Sequence, residues 1–212
     1  YHSSNHDEGV YLLQAALLLE GQLELRAGEL AGAFRPWFFI EDGGRLYPKY
    51  TPVPAALFAV SMALFGEPRV TLAAVAAANA GLTYLLGATV FDRRVGAVAA
   101  ALFAASPLAL VTTSAFLPYA PTTALNLLFA VAYLRGVRDG STAAAGVAGI
   151  AIGAAFFARP YTAVLFAAPF IVHALHSVAR SVSADGVALT GPVRRQGFTA
   201  LFGFAFVGVT LA

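Results

Sequence analysis

The chain has 212 residues, of which 59% are hydrophobic and 11% charged, against a charged share of roughly 25% in soluble domains. So few charges cannot coat a water-facing globule, which excludes a soluble domain; the low polarity excludes disorder, and the absence of cysteine excludes disulfides, thiolate metal sites and cysteine nucleophiles. The net charge of +2 divides unevenly: residues 1–50 hold seven acids and four bases, a net −3, while residues 51–212 hold four acids and nine bases, a net +5. The composition describes an acidic polar head, residues 1–69, ahead of a membrane body, residues 70–212.

In chain order, Ser4-Asn5-His6-Asp7-Glu8 leads into Gly9–Glu20, where Val10, Leu13 and Leu17 fall at helical spacing. The spacing predicts an amphipathic helix lying along a membrane surface. Ser4 and Asp7 stand at capping-box spacing, and acids at a helix start are favoured by its dipole. Asp7 and Glu8 therefore have two readings, helix capping or chemistry. In the second, Asp7 is a general base, Tyr11 shares its helix face, and His2 or His6 joins the acids around a divalent metal. Trp37, Phe38 and Phe39 fit an aromatic anchor at the interface. Asp42-Gly43-Gly44-Arg45 is a turn signal, followed by Leu46-Tyr47-Pro48-Lys49-Tyr50-Thr51-Pro52. Lys49 is the only lysine in the chain. It can snorkel at the interface or bind a lipid phosphate as a compact point charge.

Thr51–Phe65, with Pro52 and Pro54 in its first turn, is too short to cross a bilayer and reads as an interfacial or re-entrant helix. Spans are expected at Val70–Phe91, Val95–Leu117, Pro121–Leu134, Ala143–Ala158 and Tyr161–Val178, with a truncated run at Phe198–Ala212. Asp92-Arg93-Arg94 makes the first two spans an antiparallel hairpin. Gly149 and Gly153 form a small-xxx-small face for close helix packing. Arg93, Arg94, Arg135, Arg138, Arg180, Arg194 and Arg195 fall on one side if Val70–Phe91 runs outside to inside. The positive-inside rule selects that orientation and leaves residues 1–69 and Arg159-Pro160 outside. The chain starts at Tyr1 in polar text and stops within an apolar run, so a fragment is expected, with a preceding transmembrane helix and following ones missing. His173 and His176 read as interfacial.

Asp7-Glu8, Tyr11 and the Tyr47-Pro48-Lys49-Tyr50-Thr51-Pro52 stretch resemble the GT-C superfamily of polyprenyl-phosphate-sugar-dependent glycosyltransferases. The likeness is to glycosyltransferase family 39, the dolichyl-phosphate-mannose protein mannosyltransferases and the bacterial lipid A aminoarabinose transferases. It continues through Leu64–Arg69, Phe91–Gly96, Ala105-Ser106-Pro107 and Phe157–Thr162. The resemblance implies an all-α, polytopic membrane helix bundle of about five spans with outer-face juxtamembrane helices. It implies Asp7, with Glu8 beside it, as catalytic base or metal-associated carboxylate. Lys49 and Arg159 would contact the lipid phosphate, with Tyr47, Tyr50 and Tyr11 alongside. Family members often carry another acid or a His-Pro pair near the position of Leu117-Pro118-Tyr119-Ala120-Pro121, which has neither.

The implied reaction is an inverting sugar transfer from a polyprenyl-phosphate carrier to a protein, lipid or glycan acceptor on the extracytoplasmic face of the cell membrane. No cofactor is required, a divalent metal is compatible, and nucleic acid is not an expected partner. The rival is a secondary transporter or lipid flippase, with Ser106-Pro107 and Pro160 as its helix breaks. The spans lack ionisable residues at mid-depth, and the polar features gather at one surface. That favours interfacial chemistry over alternating access.

Overall fold

A computed structural model of the chain describes residues 5–26, 28 and 35–185. The elements are α1 His6–Leu19, β1 Leu25–Arg26, β2 Phe39–Asp42, β3 Arg45–Pro48, α2 Pro52–Phe65, α3 Arg69–Val90, α4 Arg93–Ala105, α5 Pro107–Ser114, α6 Tyr119–Asp139, α7 Thr142–Ala158 and α8 Pro160–Asp185. Helix predominates as expected, with one correction to an all-α reading: the three strands form an antiparallel sheet in the order β1-β3-β2. The expected roles of Ser4 and His2, the positions of Arg194 and Arg195, and the Phe198–Ala212 run lie outside the described residues. The chain divides into two compact units, Tyr1–Ala77 with Pro107–Pro121 and Ala78–Ser106 with Thr122–Ala212.

In the first unit, α1 begins earlier than its apolar spacing predicts because Asn5 caps it. The Asp7 N–H donates to Asn5 Oδ1 at 3.1 Å, which satisfies one of the orphan donors of the first turn. One face of α1 packs Tyr11 and Ala15 against Ala55, Phe58 and Ala59 of α2, with Leu72 and Phe116 closing the cluster. Another face packs Val10 and Leu17 against Phe39 and Leu46 of the sheet. Phe39 is thus a core residue, 5% exposed, and not part of the interfacial anchor. Trp37 is 67% exposed and keeps the anchoring position. The turn signal is a two-residue hairpin: Gly43 and Gly44 have φ of 56° and 78°, the pair of positive angles a type I′ turn demands. Asp42 then faces Arg45, and counting back from the turn sets Phe39 opposite Pro48. α2 ends at Gly66, whose N–H donates to Met62 O. Thr71 Oγ1 joins α3 to α2 through Leu57 O at 2.8 Å and Ser61 Oγ at 2.7 Å.

In the second unit, Asp92 starts α4 by accepting the N–H groups of Arg94 and Val95 at 2.7 and 2.9 Å. Gly87 and Gly96 let the α3–α4 hairpin close: a Cβ on Gly96 would lie 2.6 Å from the Tyr84 carbonyl oxygen. Small residues line α7, where Ala145, Ala148, Gly149, Ala151, Gly153, Ala155 and Ala158 are all buried. Ala148 and Ala151 pack with Phe129 and Ala132 of α6 and Ala167 of α8, a small-residue interface of the kind lipid-embedded helices use. Tyr133 ties α6 to α8 through Phe170 O at 3.2 Å and His173 Nδ1 at 2.8 Å. His173, read as interfacial, is exposed and also meets Tyr133.

Among the described residues one helix, α3, is long and apolar enough by itself to cross a membrane. Its 22 residues span about 33 Å, against a hydrocarbon core of ~30 Å. The expected Val95–Leu117 span is two helices, α4 and α5, bent by 62°, because Pro107 has no N–H to continue the ladder. α2 and α7 are shorter apolar helices. Leu64, Leu102, Leu108, Val111, Leu165 and Leu175 stand 64–75% exposed, apolar surface suited to lipid.

Candidate active site

The site assembles around Tyr50, the residue between β3 and α2. Its hydroxyl donates to Asp7 Oδ1 at 2.7 Å. Its ring stacks on Tyr11 with centroids 5.0 Å apart. Its carbonyl accepts from Gln14 Nε2 at 3.0 Å. Asp7, Tyr11 and Gln14 are spaced four and three residues apart, so they form one stripe along α1, and Tyr50 lies along that stripe. Burial first, then the hydrogen bond and charge of Asp7, then Tyr119, push the Tyr50 phenol up to about 12. At neutral pH it remains a proton donor to the carboxylate. Asp7 is half-buried, and its Oδ2 takes no hydrogen bond among the described residues.

Lys49 is placed by the hairpin register. Beyond the Phe39–Pro48 pair, the Lys49 N–H donates to Phe38 O at 2.9 Å. The Lys49 ammonium lies 5.2 Å from the Phe38 ring centroid and 5.8 Å from that of Tyr50, both within cation–π range. The same tyrosine therefore meets the acid through its hydroxyl and the lysine through its ring. Phe38 sits at φ 59°, a left-handed backbone conformation uncommon for a bulky side chain, and this turn aims its ring at the ammonium. Lys49 is exposed, free of ion pairs among the described residues, and able to meet an anion.

The remaining sequence-derived candidates fall differently. Tyr47 alternates onto the face of β3 that carries Arg45 and Lys49. It hydrogen bonds Arg45, and that contact, ahead of the charge of Glu24, raises the guanidinium above its ordinary value. Arg45 also pairs with Glu24 at 2.8 Å. Arg159 belongs to the second unit, between α7 and α8: its N–H donates to Ala155 O at 2.8 Å and its carbonyl accepts from Ala163 N at 3.1 Å. Of the metal candidates His6, Asp7 and Glu8, His6 stacks on Trp37 at 4.9 Å and Asp7 accepts from the Tyr50 hydroxyl. No group of three or more His, Asp or Glu is gathered for a metal among the described residues.

Gln14 was absent from the sequence reading, which took Phe38 only as an interfacial anchor and Asn5 only as part of the segment before the first helix. The hairpin supplies the missing signal for Phe38: once Gly43-Gly44 is taken as a two-residue loop, counting outward sets residue 38 opposite residue 49. Nothing comparable marks Gln14, whose partner is 36 positions away.

A scan of protein families matches residues 49–193 to a family described as dolichyl-phosphate-mannose-protein mannosyltransferase. No curated protein and no solved structure matches the chain.

Proposed function

We propose, from the premise that the chain belongs to the dolichyl-phosphate-mannose-protein mannosyltransferase family of membrane glycosyltransferases, that it transfers a sugar with inversion from a polyprenyl-phosphate carrier on the extracytoplasmic face. The acceptor hydroxyl attacks the anomeric carbon from the side opposite the phosphate. Asp7 takes the hydroxyl proton through its Oδ2, while the bond from the anomeric carbon to the phosphate oxygen breaks. The electron pair leaves with the polyprenyl phosphate, whose added charge Lys49 neutralises. The family resemblance also implies a lipid-phosphate contact for Arg159. The donor arrives within the bilayer, so the multi-pass helices carry it and no nucleotide-binding loop is needed.

One observation carries the reading. The Asp7 carboxylate meets the hydroxyl of Tyr50 and the exposed Lys49 ammonium, unpaired among the described residues, meets its ring, although 42 positions of sequence separate Asp7 from Lys49. Transfer of this kind requires that pairing, a base for the acceptor and a cation for the departing phosphate. The break between α4 and α5 that a transporter or flippase would also show does not outweigh membership of a glycosyltransferase family.

The test is sugar transfer from dolichyl-phosphate-mannose by the complete protein in lipid, comparing wild type with Asp7→Asn and Lys49→Ala at matched membrane expression. Asp7→Asn is expected to cut turnover by about 10²- to 10⁴-fold with donor affinity retained, and Lys49→Ala to weaken donor affinity. Near-normal transfer by both variants refutes the assignment.

A further inference from the structure

Lys49 and Asp7 meet through a third residue, since both touch Tyr50. Three atoms or groups of Tyr50 are fixed by three residues of a single α1 stripe: hydroxyl by Asp7, ring by Tyr11, carbonyl by Gln14. Tyr11 is 3% exposed and Gln14 5%, so two of these three anchors are core groups that cannot follow a ligand. A tyrosine whose hydroxyl is committed to a carboxylate and whose ring is stacked on Tyr11 has little left to offer a phosphate. Its surroundings, shared with Phe38, carry the ammonium instead.

We infer that Tyr50 is the positioning residue of this site, clamped on α1 so that its hydroxyl orients the Asp7 carboxylate while its ring holds the Lys49 ammonium. This rests on the glycosyl-transfer reading for its catalytic consequence, but not for its binding consequence. The hydroxyl and the ring serve different partners, so the two halves of the role come apart by substitution. Tyr50→Phe deletes the donor to Asp7 and leaves the ring. Tyr50→Leu deletes both.

The experiment uses the complete protein in lipid nanodiscs, with dolichyl phosphate as the binding probe and dolichyl-phosphate-mannose as donor for turnover. Tyr50→Phe is expected to bind dolichyl phosphate within about twofold of wild type and to lose about tenfold or more in kcat at unchanged donor KM, on the scale of one hydrogen bond to a charged group. In an Asp7→Asn background the same change should have no further effect on kcat, because the bond's purpose is already gone. Tyr50→Leu is expected to weaken dolichyl phosphate binding by about threefold or more, the scale of an exposed cation–π contact. Combined with Lys49→Ala, it should add nothing to the loss from Lys49→Ala alone. Wild-type kcat in Tyr50→Phe, unchanged binding in Tyr50→Leu, or additive losses in the double variant each overturn the inference. A merely structural role lowers the folded yield of Tyr50→Phe without the split between kcat and KM, and that also overturns it. A wild-type protein that binds dolichyl phosphate but transfers no sugar sinks the transfer reading alone, and the binding cycle then decides the position of Tyr50.

Discussion

The α1–hairpin–α2 region and the α6–α7–α8 region are both rich in apolar residues, yet they are held by different physics. In the first, side chains far apart in sequence meet through polar atoms. Tyr50 reaches Asp7 across 43 positions and Gln14 across 36, and the cluster sits on a turn, strand ends and a helix start. In the second, alanine and glycine bring helix backbones together, and the Ser177 hydroxyl bonds back into its own helix, to His173 O at 2.8 Å. Packing of small residues gives a rigid support with few polar groups to spend on chemistry. The irregular region concentrates the groups whose geometry can be set one at a time. Binding and catalytic residues gather on such segments because a scaffold positions them there.

That contrast is open to being broken, and the largest effect belongs to the polar region. Asp7→Asn should cut kcat for sugar transfer by about 10²- to 10⁴-fold, the usual weight of a general base, while thermal unfolding in detergent moves little. Equal losses of turnover and of folding would make Asp7 a capping residue. In the helical region the order reverses. Gly96→Ala forces a methyl group to within 2.6 Å of the Tyr84 carbonyl; overpacking of this kind costs about 1–3 kcal/mol, read as a lower melting temperature with kcat retained in the folded fraction. Asp92→Ala removes the side chain that caps α4 and should cost about 1 kcal/mol, with Asp92→Asn or Asp92→Ser restoring most of it.

The smallest effect is a pH dependence in the polar region. Unfolded, the Tyr50 phenol titrates near 10; folded, burial and Asp7 push it to about 12. Below about pH 10 both states hold the proton and the stabilisation is complete. Between about 10 and 12 the unfolded chain releases it first, so stability falls across that window. Melting curves of wild type and Tyr50→Phe should therefore differ least at the alkaline end. A constant difference between them contradicts the raised phenol.

Much of this molecule was legible in its sequence, and the illegible parts have physical reasons. Thr51–Phe65 was readable as a short interfacial helix because two prolines mark its start and its length is wrong for a span; the observed helix is Pro52–Phe65. Val95–Leu117 read as one span because hydropathy registers side chains, whereas the break at Pro107 is a backbone effect. The strands escaped notice since β1 has two residues and the others four, too few for alternation to stand out. In the site, Lys49 was conspicuous as a lone lysine and Asp7 as an acid opening a helix. Tyr50 was visible only as a neighbour, because its hydrogen bond to Asp7 depends on α1 and the hairpin meeting in space. Asn5 displaced the expected Ser4 cap by a single residue, the ordinary uncertainty of a helix boundary.

The most direct measurement is a structure of the complete protein in lipid with dolichyl phosphate bound. The phosphate should rest on the Lys49 ammonium, with the Tyr50 hydroxyl still on Asp7 and the free carboxylate oxygen facing the same cavity. A phosphate lodged elsewhere, with Lys49 in water and Asp7 turned away from the ligand, would contradict a shared acid–cation site.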